Sequence, residues 1–296
     1  MNCRNKSAAI LREGHTPLNG FLRIDTALSE AAEALGQVSE SPRLDAELLL
    51  ATALDVPRSY LFAHAEEEMD AAAAERFHDT VERRIDGLPL AYITGEKEFW
   101  SMTLMVSRAT LVPRPETETL VEQAMIRIPK DEQLQILDLG TGSGAVALAI
   151  ARERPLCSVV ATDISEDALA VAEINARNNS IPNIEFLHGS WLEPVVDMKF
   201  DIIVSNPPYV AEADKALEAL RYEPQDALVS GTAGLDAIEI IAATAGASIN
   251  QGGALLIEHG ADQEAAVRHL LELNGWMEIS LAKDLSMLPR VTIASR

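Results

Sequence analysis

The sequence predicts a small helical bundle followed by an α/β fold, the latter built on a seven-stranded, mostly parallel sheet with one antiparallel strand. Three observations predict it. From residue 113 onward, short apolar runs alternate with helical patterns, as strands and crossover helices do. One such run, Gln135-Ile136-Leu137-Asp138-Leu139, passes directly into Gly140-Thr141-Gly142-Ser143-Gly144 and then into an apolar helical stretch, which reads as strand, glycine turn and helix. Between residues 21 and 95, by contrast, Ala, Glu, Leu and Arg dominate, and apolar residues recur at three- and four-residue steps.

The elements follow in order. The first twenty residues are mixed and polar, and a frayed extension is expected there. Residues 21–95 form the helical domain. Leu44, Leu48, Ala51 and Leu54 mark one helix face, and Asp55-Val56-Pro57-Arg58-Ser59 breaks it. Glu66-Glu67-Glu68-Met69-Asp70 opens a further helix, where acidic side chains suit the positive end of the dipole. Residues 96–112 read as a β-hairpin linker: Phe99 to Val106 alternates, and Ser107-Arg108 turns the chain back toward Thr110-Leu111-Val112. Residues 113–296 form the α/β domain. It opens with a short helix over 119–128 that ends before Pro129. Strands are expected near 135–139, 158–162, 183–188, 200–205, 253–258, 276–282 and 290–294. Ser165-Glu166-Asp167 caps the helix after the second of these, with Leu169, Ala172 and Ala176 on one face. The last two strands are joined by a loop alone, so one of them runs antiparallel.

Composition narrows the function. The chain has 46 acidic and 24 basic residues, a formal net charge of −22, so the Lys/Arg surface that drives nonspecific nucleic-acid binding is lacking and no nucleic-acid partner is expected. Its two cysteines, Cys3 and Cys157, have neither a CxxC partner nor a nearby His pair, so no metal site is expected and a reducing cytoplasm fits. No apolar run approaches membrane-span length.

The chemistry concentrates at two places. Asn206-Pro207-Pro208-Tyr209 ends the apolar run of residues 200–205. Consecutive prolines remove two backbone N–H donors and hold the chain extended, leaving carbonyls available. Asn206 adds a side-chain acceptor and Tyr209 an aromatic face with a polar tip. Together they suit a planar group carrying –NH2, hence chemistry on an amide or amino nitrogen. The second place is the glycine turn, with Asp163 at the tip of the next strand, a position that suits a ribose diol and otherwise a helix entry. His188 and His259, each at a strand end, read as structural.

In this order the motifs resemble the HemK/PrmC-type protein-glutamine methyltransferases. The resemblance spans residues 44–296. Besides the glycine turn and Asn-Pro-Pro-Tyr, it rests on Leu44-Asp45-Ala46-Glu47-Leu48-Leu49, on Gly87 to Gly95, on Glu98-Phe99-Trp100, on Val112 to Glu118, on Gly189-Ser190-Trp191 and on Arg221-Tyr222-Glu223-Pro224. It implies a Rossmann-like methyltransferase sheet, S-adenosyl-L-methionine as methyl donor, and peptide chain release factors as substrates, methylated on the glutamine of their Gly-Gly-Gln motif. The helical domain would then recognise the factor; a monomer is expected. Carried over residue by residue, Gly140, Thr141, Gly142, Ser143, Gly144, Asp163, Trp191 and Asn206 bind the cofactor, with Trp191 packed on adenine or else a core residue. Asn206, Pro207 and Tyr209 are catalytic, and Pro208 joins them in holding the substrate amide. Ser190 stands where relatives often carry an acid, and the segment Asp284 to Arg290 lacks a glycine that relatives often carry. Arg114, Glu116, Glu118 and Glu223 are left open between site and surface turn. Asn-Pro-Pro-Tyr also occurs in adenine-amino DNA methyltransferases, and a catalytically silent cofactor-binding module would share the glycine turn.

Overall fold

A computed structural model describes residues 22–296; Cys3 and the expected N-terminal extension lie outside them. The chain divides into two compact units, one up to Gly95 and one from Glu96.

The first unit packs five helices, α1 (Ile24–Leu35), α2 (Pro42–Leu54), α3 (Arg58–Ala63), α4 (Ala71–Ile85) and α5 (Leu90–Thr94), with a short antiparallel pair of β1 (Leu22–Arg23) and β2 (Glu68–Met69). Leu28, Leu35, Leu49, Leu50, Leu61 and Phe77 form its core. Three expectations need correction. Of the expected face only Ala51 is buried: the buried side of α2 is Ala46, Leu49, Leu50, Ala51 and Ala53, Leu48 and Leu54 are half-buried, and Leu44 is 40% exposed. The face is rotated because Asp45 and Glu47 also turn inward, where Arg84 reaches Asp45 and both Arg43 and Arg58 reach Glu47. The acidic run does not open α4: Glu68–Met69 is extended, and Asp70 is the N-cap, its carboxylate accepting from the Ala73 N–H at 2.7 Å. Arg58 and Ser59 belong to α3 rather than to the break, which ends at Pro57, held at φ −66°.

The second unit opens with a hairpin of β3 (Glu96–Phe99) and β4 (Met102–Met105), followed by a 3-10 turn at Pro115–Thr117 and α6 (Glu118–Arg127). The turn of this hairpin is Trp100-Ser101, not Ser107-Arg108, and residues 110–112 form no strand. Both turn residues sit at positive φ (49° and 54°), a conformation that Asn-Gly would have signalled. Trp100 is held there by its N–H to the Glu118 carboxylate (3.0 Å) and its indole N–H to Glu153 (3.3 Å).

Then follow β5 (Gln135–Leu139), α7 (Ala145–Glu153), β6 (Ser158–Asp163), α8 (Glu166–Asn178), β7 (Ile184–His188), β8 (Phe200–Ser205), α9 (Ala216–Ala219), α10 (Asp236–Thr244), β9 (Ile249–Glu258), α11 (Glu264–Leu273), β10 (Met277–Lys283) and β11 (Pro289–Ser295). The sheet runs β10-β11-β9-β8-β5-β6-β7. β11 is antiparallel to both β9 and β10; every other pairing is parallel. All seven strands and the single antiparallel member match the sequence reading. Ser165 caps α8 by accepting from the Ala168 N–H, as expected. Buried side chains cover both faces: Ile136, Val159, Val204 and Leu256 on one, Leu137, Leu139, Ile203 and Leu255 on the other. From β5 the chain steps outward to β6 and β7 and then returns to β8 on β5's other side. This reversal opens a crevice at the carboxyl ends of β5, β6 and β8, where such sheets bind ligands.

Candidate active site

The crevice is a cavity of about 750 Å³ at those strand ends. The glycine turn forms its floor. Gly142, at φ 56°, faces open space: a Cβ added there meets nothing within 4 Å. Gly140 (φ 72°) lies under the Trp191 ring, whose Cζ3 would be 3.4 Å from an added Cβ. Gly144 serves packing instead. Its added Cβ would sit 3.0 Å from Leu148 and 3.2 Å from Ala172, so it lets α7 approach α8 and does not line the cavity. Thr141 and Ser143 complete the floor.

Two carboxylates look into this space. Asp163 accepts from the Gly142 N–H (Oδ2, 2.8 Å) and the Ser165 N–H (Oδ1, 2.9 Å), which ties the turn to the tip of β6. A carboxylate has about four acceptor sites, so two are left over. Asp138, 2% exposed on β5, takes the Thr141 hydroxyl at 2.7 Å. Burial pushes its carboxyl up to about 7, with the Thr141 bond opposing and the Asp163 charge adding to the rise. Among the described residues neither acid forms an ion pair. A pocket walled by two such acids suits a ligand that carries positive charge.

The facing wall begins where β8 ends. Asn206 and Pro208 line the cavity; Pro207 is buried behind them and Tyr209 is half-buried. Asn206 Nδ2 donates to Thr117 Oγ1 at 3.2 Å. Tyr209 donates its hydroxyl to Glu258 Oε1 at 3.4 Å, and its carbonyl accepts from Gln263 Nε2 at 3.0 Å. Burial, with the Glu258 charge, pushes the Tyr209 hydroxyl up to about 12, so it stays a neutral donor. Trp191 closes a third side at φ 47°, with its carbonyl accepting from Thr162 Oγ1 at 2.9 Å. Ser190 lines the cavity beside it.

Residues 26–95 match a family model described as the PrmC N-terminal domain, and residues 117–233 match the methyltransferase small domain. The release factor glutamine methyltransferase of Coxiella burnetii is 46% identical over 276 residues, 93% of this chain and 100% of that protein. Its counterpart from Escherichia coli K12 is 43% identical over 269 residues, 90% of this chain and 96% of that one. This chain belongs to the release factor glutamine methyltransferase family. Its fold is also that of a solved methyltransferase from Pyrococcus furiosus, with a TM-score of 0.52 at 18% identity, covering 72% of this chain and 95% of the other.

In this family member the residues left open by the sequence fall in different places, with Glu116 exposed and outside the cavity lining. Glu223 is buried, accepts from the Val112 N–H at 3.1 Å, and is paired with the Arg114 guanidinium; Arg114 itself lines the cavity. Glu118 instead supports the Trp100 turn. The segment without a glycine is closed by Asp284, whose Oδ1 accepts from the Ser286 and Leu288 N–H groups while Met287 takes φ 62°. His259 is structural: it is fully buried, bonded through Nδ1 to the Gly260 carbonyl and through Nε2 to Thr292, and lowered in pKa by burial. Sequence reasoning missed Asp138, Thr117 and Glu258 as site residues. For Asp138 and Glu258 the signal was present, since each is an acid inside or ending an apolar strand. Thr117 gave none, because its role depends on a turn that brings it to Asn206. Among the described residues no helix is long and apolar enough to cross a membrane.

Proposed function

We propose that this protein transfers the methyl group of S-adenosyl-L-methionine to the side-chain amide nitrogen of the glutamine in the Gly-Gly-Gln motif of a peptide chain release factor. One observation carries the reading: Asn206 and Pro208 line the same cavity as the glycine turn and its two unpaired acids. The residues present fit the cofactor. Gly142 opens on space that a side chain would fill, Asp163 keeps acceptor sites for a ribose diol, and the acidic wall suits a sulfonium cation. Gly140 to Ser143, Asp163, Trp191 and Asn206 would hold it, and Gly144 would keep the turn in place. When bound, it supplies an electrophilic methyl group that needs no metal to activate it.

The protein's own residues supply position. Asn206 Oδ1 and the Pro207 carbonyl would accept the two hydrogens of the substrate amide, orienting its nitrogen and raising its electron density. Alignment of this kind lowers barriers by up to about 7–11 kcal/mol in the best intramolecular cases. Pro208 and Tyr209 would confine the amide and exclude water, with the Tyr209 hydroxyl tied back to Glu258. The amide nitrogen would be acidic once it has received the methyl group, and its proton can pass to water. Residues 21–95 would recognise the body of the release factor, residues 96–112 would link, and residues 113–296 would perform catalysis, as a cytoplasmic monomer.

The test is methyl transfer from labelled S-adenosyl-L-methionine to a purified release factor and to the same factor with its motif glutamine replaced by alanine. Label on the first alone is the expected result. Label on neither, or on unmethylated duplex DNA instead, would overturn the assignment.

A further inference from the structure

We propose that Glu258 is a positioning residue which, through the Thr117 hydroxyl, fixes the end of the Asn206 side-chain amide that faces the cavity. The consequence for catalysis rests on the amide-methylation reading above; the coupling itself does not. β8 and β9 are parallel neighbours with Ser205 opposite Ile257, so Asn206 and Glu258 leave adjacent strand ends side by side. Thr117, 4% exposed, comes from the 3-10 turn and accepts from Asn206 Nδ2 at 3.2 Å. The two ends of an asparagine amide are nearly the same size, so only hydrogen bonds choose between its orientations. A threonine hydroxyl has one proton to give. If that proton goes to an ionised Glu258, Thr117 can only accept from Asn206. Nδ2 must then face Thr117, and Oδ1 faces the cavity.

Glu258 is placed to demand that proton. Its side chain is fully buried, and Oε1 holds the Tyr209 hydroxyl. Oε2 makes no hydrogen bond of normal geometry, the only buried side-chain N or O atom among the described residues in that state, and the Thr117 hydroxyl is a donor near the carboxylate. A neutral Glu258 would remove the demand. Thr117 could then donate to Asn206 Oδ1, and the flipped asparagine would present –NH2 to the –NH2 of the substrate, a donor against a donor. Burial pushes the Glu258 carboxyl up to about 7, so this change falls at neutral pH. The groups facing it are Thr117 and Glu116 from the turn, Tyr209 from the strand end and Arg290 from β11, which Asp284 pairs at 3.1 Å. Arg290 opposes the rise and Glu116 adds to it.

The first readout is the 15N side-chain amide resonance of Asn206 in the full chain, without cofactor or release factor. It is expected to titrate with a midpoint near pH 7 in the wild type, to lose the titration in E258Q and T117V, and to keep it in T117S. The second readout is kinetic. T117V and E258Q should each lower kcat by about 10- to 100-fold, the range for a misaligned reacting group, with KM for the release factor nearly unchanged. T117S should restore kcat. The wild-type kcat should rise through neutral pH, and that of E258Q should not. A wild-type resonance that ignores pH, or a folded T117V with wild-type kcat, would overturn the proposal. A resonance that titrates in a protein that methylates no release factor would uphold the coupling and sink the substrate assignment alone.

Discussion

Both units bury carboxylates, and they satisfy them differently. In the helical unit, Glu47 (side chain 4% exposed) receives Arg43 at 2.8 Å and Arg58 at 2.7 Å, and Asp45 receives Arg84 at 2.9 Å. Burial raises the Glu47 pKa, but the two arginines outweigh it and hold the carboxyl below its ordinary value. In the α/β unit Asp138 and Glu258 have no arginine paired to them: Asp138 takes the Thr141 hydroxyl and the Ala147 N–H, Glu258 takes the Tyr209 hydroxyl, and both are pushed up to about 7. Where that unit needs an acid for support it also uses arginine, as in Arg114–Glu223 and Arg290–Asp284. A buried acid paired with arginine is part of the scaffold. A buried acid left without an arginine has capacity to act on a ligand or a neighbour, and the two here lie at or beside the cavity.

The sharpest test of that division is to remove a site residue and look for a cost in turnover alone. Asn206→Ala should lower kcat by about 10³-fold, the scale seen when a positioned hydrogen-bonding group at a reaction centre is deleted. The unfolding transition should stay where it is, because Asn206 is half-exposed and bonded only to Thr117 among the described residues. Mass spectrometry of the release factor and a thermal melt read the two quantities. A parallel loss of both would make Asn206 a structural residue and erase the contrast.

The converse change is Arg84→Met. It keeps the apolar stem of the side chain and leaves Asp45, 10% exposed in its side chain, without its partner. Stripping one member from a buried pair costs about 3 kcal/mol. Amide hydrogen exchange over residues 46–50 should speed up accordingly. Affinity for S-adenosyl-L-methionine should not change, since the cavity is lined wholly by residues beyond Glu96. A drop in affinity would mean that the helical unit does more than the pairing of its acids implies.

Most of the α/β fold was legible because strand period and helix period are written directly into residues 135–295: the inner strands are buried enough to read as apolar runs, while the edge strands β7 and β10 are half-exposed and β10 alternates apolar with polar residues. The glycine turn, Asp163 and Asn206 were legible for a related reason: each carries a rare residue type at a strand end. What escaped depends on partners distant in sequence. The Trp100-Ser101 turn is specified by Glu118 and Glu153 rather than by its own residues. The inward rotation of α2 is set by Arg58 and Arg84, so its charged residues misled a reading that assigns charge to solvent. Thr117 becomes part of the site only when the 3-10 turn brings it to Asn206, 89 positions along the chain. Gly144 differs from the rest of the motif: its glycine suits a φ of 83° and the packing of α7 on α8, and it does not line the cavity.

The most gradual effect expected is also the one that separates the two kinds of acid by sign. Glu258 has a folded pKa raised from its ordinary 4.5 to about 7. A raised acid contributes stability that is fully present below the unfolded pKa and is lost as pH rises through the folded one. Glu47 is lowered, so its contribution is present above the unfolded pKa and is lost as pH falls through the folded one. Relative to wild type, Glu258→Gln should therefore gain stability as pH rises from below 4.5 to above 7, by about 3.5 kcal/mol in all at the roughly 1.4 kcal/mol that each pKa unit represents. Glu47→Gln should instead lose more, relative to wild type, at pH 7 than at pH 4. Urea melts across this range measure both differences. Because E258Q also removes the group that orients Asn206, the same substitution should stabilise the protein at alkaline pH while slowing it. A Glu258→Gln protein whose stability tracks wild type at every pH would show that the carboxyl is already satisfied, by a partner as effective as the arginines of the helical unit.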